Sequence, residues 1–291
     1  MQRVSIIGMG RMGRALAVAL PSSGYELDRL FVRSDAAALP GDLAKFAAKL
    51  ADAERVDSDI VFITTRDNEI EGAAAALSEK VAAGSFVFHT SGSKSSTALN
   101  VLKTVGCSIG SLHPLVSVSD PALGPERFSG SFFCVEGESS AAALGQEIAI
   151  SLGGRPFSID TQFKTLYHAA AVTACGHLVA LFDAAVEMMG RTGLSPEKAK
   201  EILLPLVSST VDNLARQSTS EALTGTFARA DSETFTKHIG ALNEFGTDEL
   251  LEIYLLLGER SLELASRQGV SAERIETLRA KVAIAKSKMK W

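Results

Sequence analysis

The sequence predicts an α/β domain built on a doubly wound, mostly parallel sheet, followed by a smaller all-α domain. Three observations carry this. Short apolar runs alternate with helical stretches through the first half, as repeated βα units do. A glycine-rich turn follows the first of those runs, and from residue 162 onward every long segment reads as helix. The 291 residues are 46% hydrophobic and 22% charged, a globular composition long enough for two ordinary domains.

Residues 4–7 form the first strand, and residues 11–20 a helix that stops at Pro21, with Gly24 in the turn. Residues 27–32 are the second strand. Residues 60–64 are apolar and rich in β-branched side chains, as a strand buried on both faces should be. Residues 69–77 are helical. Strands follow at 86–88, 108–112 and 132–135, then a helix at 141–152 ended by Gly153-Gly154. Residues 157–159 are a last edge strand. The composition then changes, which sets the domains at 1–158 and 159–291. Residues 162–189 form one long apolar-faced helix. Ser195-Pro196-Glu197 starts the next, with an N-cap serine and proline at the first helical position, and Pro205 should kink it. Residues 223–231 are a loop, and helices at 232–243, 247–268 and 271–288 complete the chain.

Lys and Arg number 29 against 34 Asp and Glu, a net charge of −5. That is the wrong sign for a general polyanion binder, so no nucleic-acid partner is expected. No uninterrupted apolar run approaches the ~18 residues of a membrane span, so no membrane partner is expected either. Cys107, Cys134 and Cys175 are odd in number and widely spaced, which fits neither a metal cluster nor a disulfide framework. Met1-Gln2-Arg3 runs directly into the first strand, unlike a secretory leader. A cytoplasmic protein without metal is the expectation.

Gly8-Met9-Gly10-Arg11-Met12-Gly13 follows that strand and opens a helix, the setting in which G-x-G-x-x-G marks a dinucleotide site. Gly8 permits the sharp turn, Gly10 lets backbone approach a pyrophosphate, and Gly13 lets the helix pack close to the strand. The helix N-terminus offers free N–H groups to the phosphates. This is the Rossmann arrangement. An NAD site places a carboxylate at the end of the second strand, but here Arg33 and Ser34 stand there, with Asp35 beyond. A guanidinium and a hydroxyl suit a 2′-phosphate, so NADP is the expected cofactor.

Ligands in open α/β sheets bind beyond the carboxyl ends of the strands. Those ends read Thr64-Thr65-Arg66-Asp67-Asn68, His89-Thr90-Ser91-Gly92-Ser93-Lys94 and His113-Pro114-Leu115. Thr64, Thr65 and Thr90 are expected on the cofactor, and Ser91 and His113 at the substrate. Capping alone explains Asp67, Ser93 or Ser95. It does not explain His89, His113 and Lys94 on one edge. Lys164 and His168 open the long helix four residues apart, so they share a face. At the first turn the helix dipole disfavours a cation and lowers its pKa, which suits a proton donor near neutrality.

The strings His89-Thr90-Ser91-Gly92-Ser93, Ser111-Leu112-His113-Pro114-Leu115, Leu166-Tyr167-His168-Ala169-Ala170 and Ala222-Leu223-Thr224-Gly225 resemble one family. It comprises Rossmann-like candidate NADP oxidoreductases with a C-terminal helical domain of unknown function, relatives of deazaflavin-dependent NADP oxidoreductases. Lys164 and His168 are similar to the Lys-x-x-x-Asn of β-hydroxyacid dehydrogenases, which implies Lys164 as general acid and His168 as the residue orienting substrate. His113-Pro114 resembles the His-Pro of prephenate dehydrogenases, which implies a hydrogen bond from His113 to substrate. Ketopantoate reductases share the two-domain layout. The chain departs from the family loop at Thr226, where proline is usual, and at Ala230, where glycine is usual.

The resulting expectation is an NADP(H)-dependent dehydrogenase or reductase. It moves hydride between nicotinamide and a small keto or hydroxy acid of ketopantoate type, or an imino acid, with Lys164, His168, His113 and Ser91 at the reacting end. The alternatives are a non-catalytic NADP-binding sensor or interaction protein and a structural protein with a vacant cleft; the intact glycine turn argues against the last. Relatives of this layout commonly pair through their helical domains. The run Leu-Leu-Glu-Ile-Tyr-Leu-Leu-Leu at 250–257 is apolar nearly all round. A homodimer burying that run is therefore expected.

Overall fold

The computed structural model describes residues 1–33, 39, 41–118 and 124–288, which leaves Ser34 outside the described residues. Among these, eight strands make one sheet: β1 (Arg3–Ile7), β2 (Glu26–Phe31), β3 (Ala47–Ala48), β4 (Ile60–Ile63), β5 (Phe86–His89), β6 (Ser108–Pro114), β7 (Phe132–Gly137) and β8 (Arg155–Phe157). Their order is β3-β2-β1-β4-β5-β6-β7-β8. Neighbours run parallel except β6 and β7. Growth reverses between β1 and β4, which opens a crevice at their carboxyl ends. Register aligns Ile7 with Ile63, Ile63 with His89, and His89 with Ser111. β6 continues past Ser111, so His113 reaches two residues beyond that line.

Alternation along the strands fills two layers. Val4, Ile6, Ile60, Phe62, Phe88 and Leu112 pack with Leu16 and Leu20 of α1 (Arg11–Ser22), Phe128 of α4 (Gly124–Phe128) and Ile148 of α5 (Ser139–Ser151). Ile7, Val61, Ile63, Val87 and Ile109 pack with Ile70 and Leu77 of α2 (Ile70–Ser78) and Leu102 of α3 (Asn100–Lys103). Both faces are covered, which is why these strands read as unbroken apolar runs. Pro21 sits inside the last turn of α1, and Ser22 and Ser23 each close that turn onto the Ala19 carbonyl.

The remaining helices are α6 (Lys164–Gly190), α7 (Pro196–Arg216), α8 (Gly225–Ala228), α9 (Ser232–Phe245), α10 (Asp248–Arg267) and α11 (Ala272–Ser287). The chain divides into a compact unit ending at Cys175 and a second from Gly176, so the division falls inside α6. The first three turns of α6 thus belong with the sheet. In the second unit, Phe235, Leu251, Leu255, Leu262, Ile275, Leu278 and Val282 form a helical core. Ser195 caps α7 as its sequence predicts, and α7 runs unbroken through Pro205.

Two expectations change here. Leu251 and Leu255 are buried against this chain's own α8, α9 and α11 and Leu250 is buried as well, while the exposed apolar residues of that run are Leu256 and Leu257. The uncovered apolar side chains lie instead on α6 and α7, including Leu178, Val179, Ile202, Leu206 and Leu214. The segment Thr161–Gly190 also passes the length and hydropathy test for crossing a membrane, with a mean hydropathy of 1.7 over its most apolar 18 residues. Counting uninterrupted runs missed this because histidines and Asp183 punctuate the segment.

Candidate functional site

The glycine turn forms one end of the site. Gly8 has φ +98°, which only glycine adopts at low cost. A Cβ on Gly13 would collide with the Gly8 carbonyl and lie 2.6 Å from Thr64 Oγ1, so helix and strand approach as closely as glycine allows. A Cβ on Gly10 would meet nothing within 4 Å. That open cradle lies at the N-terminus of α1, where free backbone N–H groups suit an anion. A cleft of ≈ 820 Å³ extends from it, lined by Gly8, Met9, Gly10, Thr64, Thr65 and the cations Arg14, Arg33, Lys49 and Arg66. The Thr65 hydroxyl is buried there with no hydrogen-bond partner among the described residues. An orphaned hydroxyl beside a glycine turn with no side chain at Gly10 fits a bound dinucleotide.

Arg33 stands at the end of β2 as expected, but its guanidinium is tied to the Glu69 carboxylate. That pairing holds Glu69 below the usual carboxylate range. Arg11 is exposed and Met12 packs on the core; neither lines the cleft. Thr90 lies at the end of β5, half-buried and outside that cleft. Lys49 is a lining residue that sequence reading missed. It follows the two-residue β3, too short to show any periodicity, and the bond from Val32 N–H to the Ala48 carbonyl sets it beside the end of β2.

Strand ends β5 and β6 and the start of α6 form the other end. His89 is fully buried, with both ring nitrogens engaged: Nε2 faces the Ser95 carbonyl at 2.9 Å and Nδ1 accepts the Ser91 N–H at 3.2 Å. Burial pushes its pKa down, so it is a neutral structural imidazole. Ser91 Oγ accepts the N–H groups of Ser93 and Lys94 and holds the turn rather than facing a ligand. Asp67 accepts from the Ser93 hydroxyl and Lys94 pairs with Glu71 instead of converging on the histidines.

His113 and His168 do converge. Their rings lie 5.9 Å apart, edge to face. A Cβ on Gly92 would sit 2.8 Å from His113 Nε2 and collide with His168 Cδ2, so glycine is what lets both imidazoles pack against this turn. His113 Nδ1 is 2.8 Å from the Tyr167 hydroxyl. Burial first, and the nearby Lys164 charge second, push the His113 pKa down to about 4.

Lys164 lies on the same face of α6 but points elsewhere. It is 1% exposed, with Nζ 2.9 Å from Ser111 Oγ, 3.8 Å from Cys134 Sγ and 3.8 Å from Glu136 Oε1. Glu136 in turn accepts the Ser96 N–H at 2.8 Å and the Ser96 hydroxyl at 2.7 Å. Burial lowers the lysine pKa, as the sequence reading supposed, but desolvation rather than the helix dipole is the cause. Its ammonium is walled in by β6 and β7. Glu136 and Tyr167 are the residues that sequence reasoning missed. A carboxylate in the otherwise apolar Phe-Phe-Cys-Val-Glu strand was the available signal for the first.

Residues 1–114 match a Rossmann-like domain, and residues 131–261 match a domain of unknown function, DUF2520. The chain is a Rossmann-like protein with a DUF2520 domain. No curated protein matches it significantly. A candidate NADP oxidoreductase from Bacteroides fragilis superposes with TM-score 0.72 at 22% identity, covering 90% of this chain and 98% of that one. A protein from Thermotoga maritima gives TM-score 0.70 at 25% identity, covering 91% and 99%. A reductive aminase from Aspergillus terreus, in complex with NADPH and ethyl-5-oxohexanoate, gives TM-score 0.56 at 17% identity, covering 99% and 95%.

Proposed function

We propose that this DUF2520 chain is an NADP(H)-dependent oxidoreductase acting on a small keto or hydroxy acid, of ketopantoate type, or an imino acid. The observation that carries the reading is one crevice edge with two ends. A glycine cradle and an orphaned threonine hydroxyl stand at one, and a bare imidazole pair over Gly92 at the other. The NADPH-bound Aspergillus reductase and the Bacteroides protein support it through shared fold. Backbone at Gly8 to Gly10 and the α1 N-terminus would hold the pyrophosphate, with Arg33, Lys49 and, from sequence, Ser34 toward a 2′-phosphate. The bound nicotinamide supplies or accepts the hydride.

His113 and His168 contact the substrate in this reading. A neutral His113 is an N–H donor to charge that develops on the substrate, and preorganised donors of this kind contribute about 10²–10³-fold in rate. The spacing of Lys164 suggests a proton donor, but its enclosure supports a positioning role: it neutralises Glu136 and sets the field at His113. NADPH consumption against a panel of keto acids, ketopantoate included, and cyclic imines tests the proposal. Turnover with at least one probe is expected, lowered about 10²–10³-fold in His113→Ala. Turnover unchanged in that variant would overturn the site assignment. The sealed lysine also favours a second reading, a non-catalytic NADP sensor, which predicts tight NADPH binding and no turnover with any probe.

We further propose a C2 homodimer through the helical domain, in a reducing, cytoplasmic setting that keeps Cys107, Cys134 and Cys175 free. The exposed apolar faces of α6 and α7 call for cover, and a second copy brings helices of the same length to an isologous contact. Light scattering at micromolar concentration should give twice the chain mass; a monomer contradicts this.

A further inference from the structure

The two histidines at strand ends differ in one respect. Both nitrogens of His89 are used, whereas among the described residues His113 bonds only through Nδ1, and its Nε2 lies against Gly92 with the His168 ring alongside. The partner on Nδ1 is a phenol held on several sides. The Tyr167 ring meets Phe157 edge-on at 5.9 Å and His113 edge-on at 5.7 Å, and Lys164 Nζ lies 5.9 Å from its centroid. Tyr167 has no other hydrogen-bond partner among the described residues.

We propose that Tyr167 is a positioning residue that fixes His113 as its Nε2–H tautomer, so that the half-buried ring offers a neutral N–H donor to a carbonyl oxygen rather than an acceptor for a protonated iminium.

The argument is one of satisfied protons. If Nδ1–H donated to the phenol, the tyrosine proton would be left half-buried without an acceptor, at a cost. If the phenol donates, its proton and Nδ1 are both satisfied and the ring proton must reside on Nε2. Burial raises the Tyr167 pKa, which keeps that O–H intact as a donor. Burial and Lys164 keep His113 from taking a second proton. The groups that face His113 are Lys164, the imidazoles of His168 and His89, and the Asp67 carboxylate; the carboxylate opposes the lysine and is already bonded to Ser93. A carbonyl oxygen accepts from Nε2–H, while an iminium N–H finds a donor opposite a donor beside a buried cation. This rests on the oxidoreductase reading above and narrows its substrates to carbonyl compounds.

The test is nitrogen-detected NMR of the histidine rings in the full-length protein loaded with NADPH, with His113 assigned by its loss in His113→Gln. The wild type should show Nε2 protonated and Nδ1 bare. Tyr167→Phe, which retains the ring, should lose the single tautomer and show a mixture. Oxamate, a non-reducible carbonyl probe, should shift the His113 Nε2–H signal, and pyrrolidinium, a non-reducible cyclic cation whose N–H groups only donate, should not. A wild-type ring protonated on Nδ1, a Tyr167→Phe ring like the wild type, no response to oxamate, or a response to pyrrolidinium overturns the proposal. If Tyr167→Phe does not fold, the wild-type tautomer alone decides. NADPH saturation in the same sample separates failure here from failure of the cofactor reading.

Discussion

Replacing Lys164 by methionine keeps most of the side chain's length and apolar volume and deletes its ammonium. Glu136 then remains buried without its cation, holding only the Ser96 N–H and hydroxyl and a 3.5 Å approach from Thr161 Oγ1. Breaking a buried pair by removing one partner costs about 3–5 kcal/mol. The low end, about 3 kcal/mol, is expected here because the ion-pair distance is 3.8 Å and two good hydrogen bonds survive. Urea denaturation should show this as a lower midpoint at unchanged slope. The Lys164→Met/Glu136→Gln double variant should recover at least about 1 kcal/mol of it. The sign of the pH dependence follows from burial, which lowers the folded lysine pKa below its ordinary 10.5. Between the two pKa values the unfolded chain binds more protons, so wild-type stability gains as pH rises through that window. The gap to Lys164→Met should therefore widen toward alkaline pH. A loss under about 1 kcal/mol would place the ammonium in solvent and refute the enclosure.

Gly10→Ala should leave the melting temperature unchanged and abolish NADPH binding, because the added carbon meets nothing in the free protein but occupies the pyrophosphate cradle. Gly13→Ala should instead lower stability, since its carbon strikes the Gly8 carbonyl; calorimetry and nucleotide titration separate the two. Ala230 is buried at φ +46°, the left-handed region, so Ala230→Gly should raise stability by about 1 kcal/mol in thermal unfolding. His113, with its folded pKa pushed down to about 4 from 6.5, should cost the native state up to about 3 kcal/mol as pH falls from 6.5 through 4. His113→Gln should lose that acid sensitivity.

The βα units, the glycine turn and the capped helices were legible because each rests on local chemistry. Buried strands read as apolar runs, Gly8 and Gly13 answer steric demands within the turn, and Ser195 caps its own helix. What spacing could not convey was depth. Lys164 and His168 share a helix face, yet the ammonium is buried against the Ser111, Cys134 and Glu136 side chains of β6 and β7 while the imidazole stops at Gly92. Two of the strand-end candidates satisfy themselves locally: His89 on Ser95 and Ser91, and Ser91 on the turn behind it. The partners that decide the site, Glu136 and Tyr167, are 28 and 3 residues from Lys164, and the former is brought near by sheet pairing. Similarly, the 250–257 run is largely apolar for an intrachain reason, since α8, α9 and α11 of its own unit cover the face that carries Leu251 and Leu255.

NADPH fluorescence titration of the wild type, beside NADH and beside Gly10→Val, tests the central claim most directly. The account predicts saturable binding with one site per chain, tighter for NADPH than for NADH. Arg33→Ala should narrow that gap, and Gly10→Val should show no binding while melting like the wild type. Absence of saturable NADPH binding by the wild type, or equal binding by Gly10→Val, would contradict it.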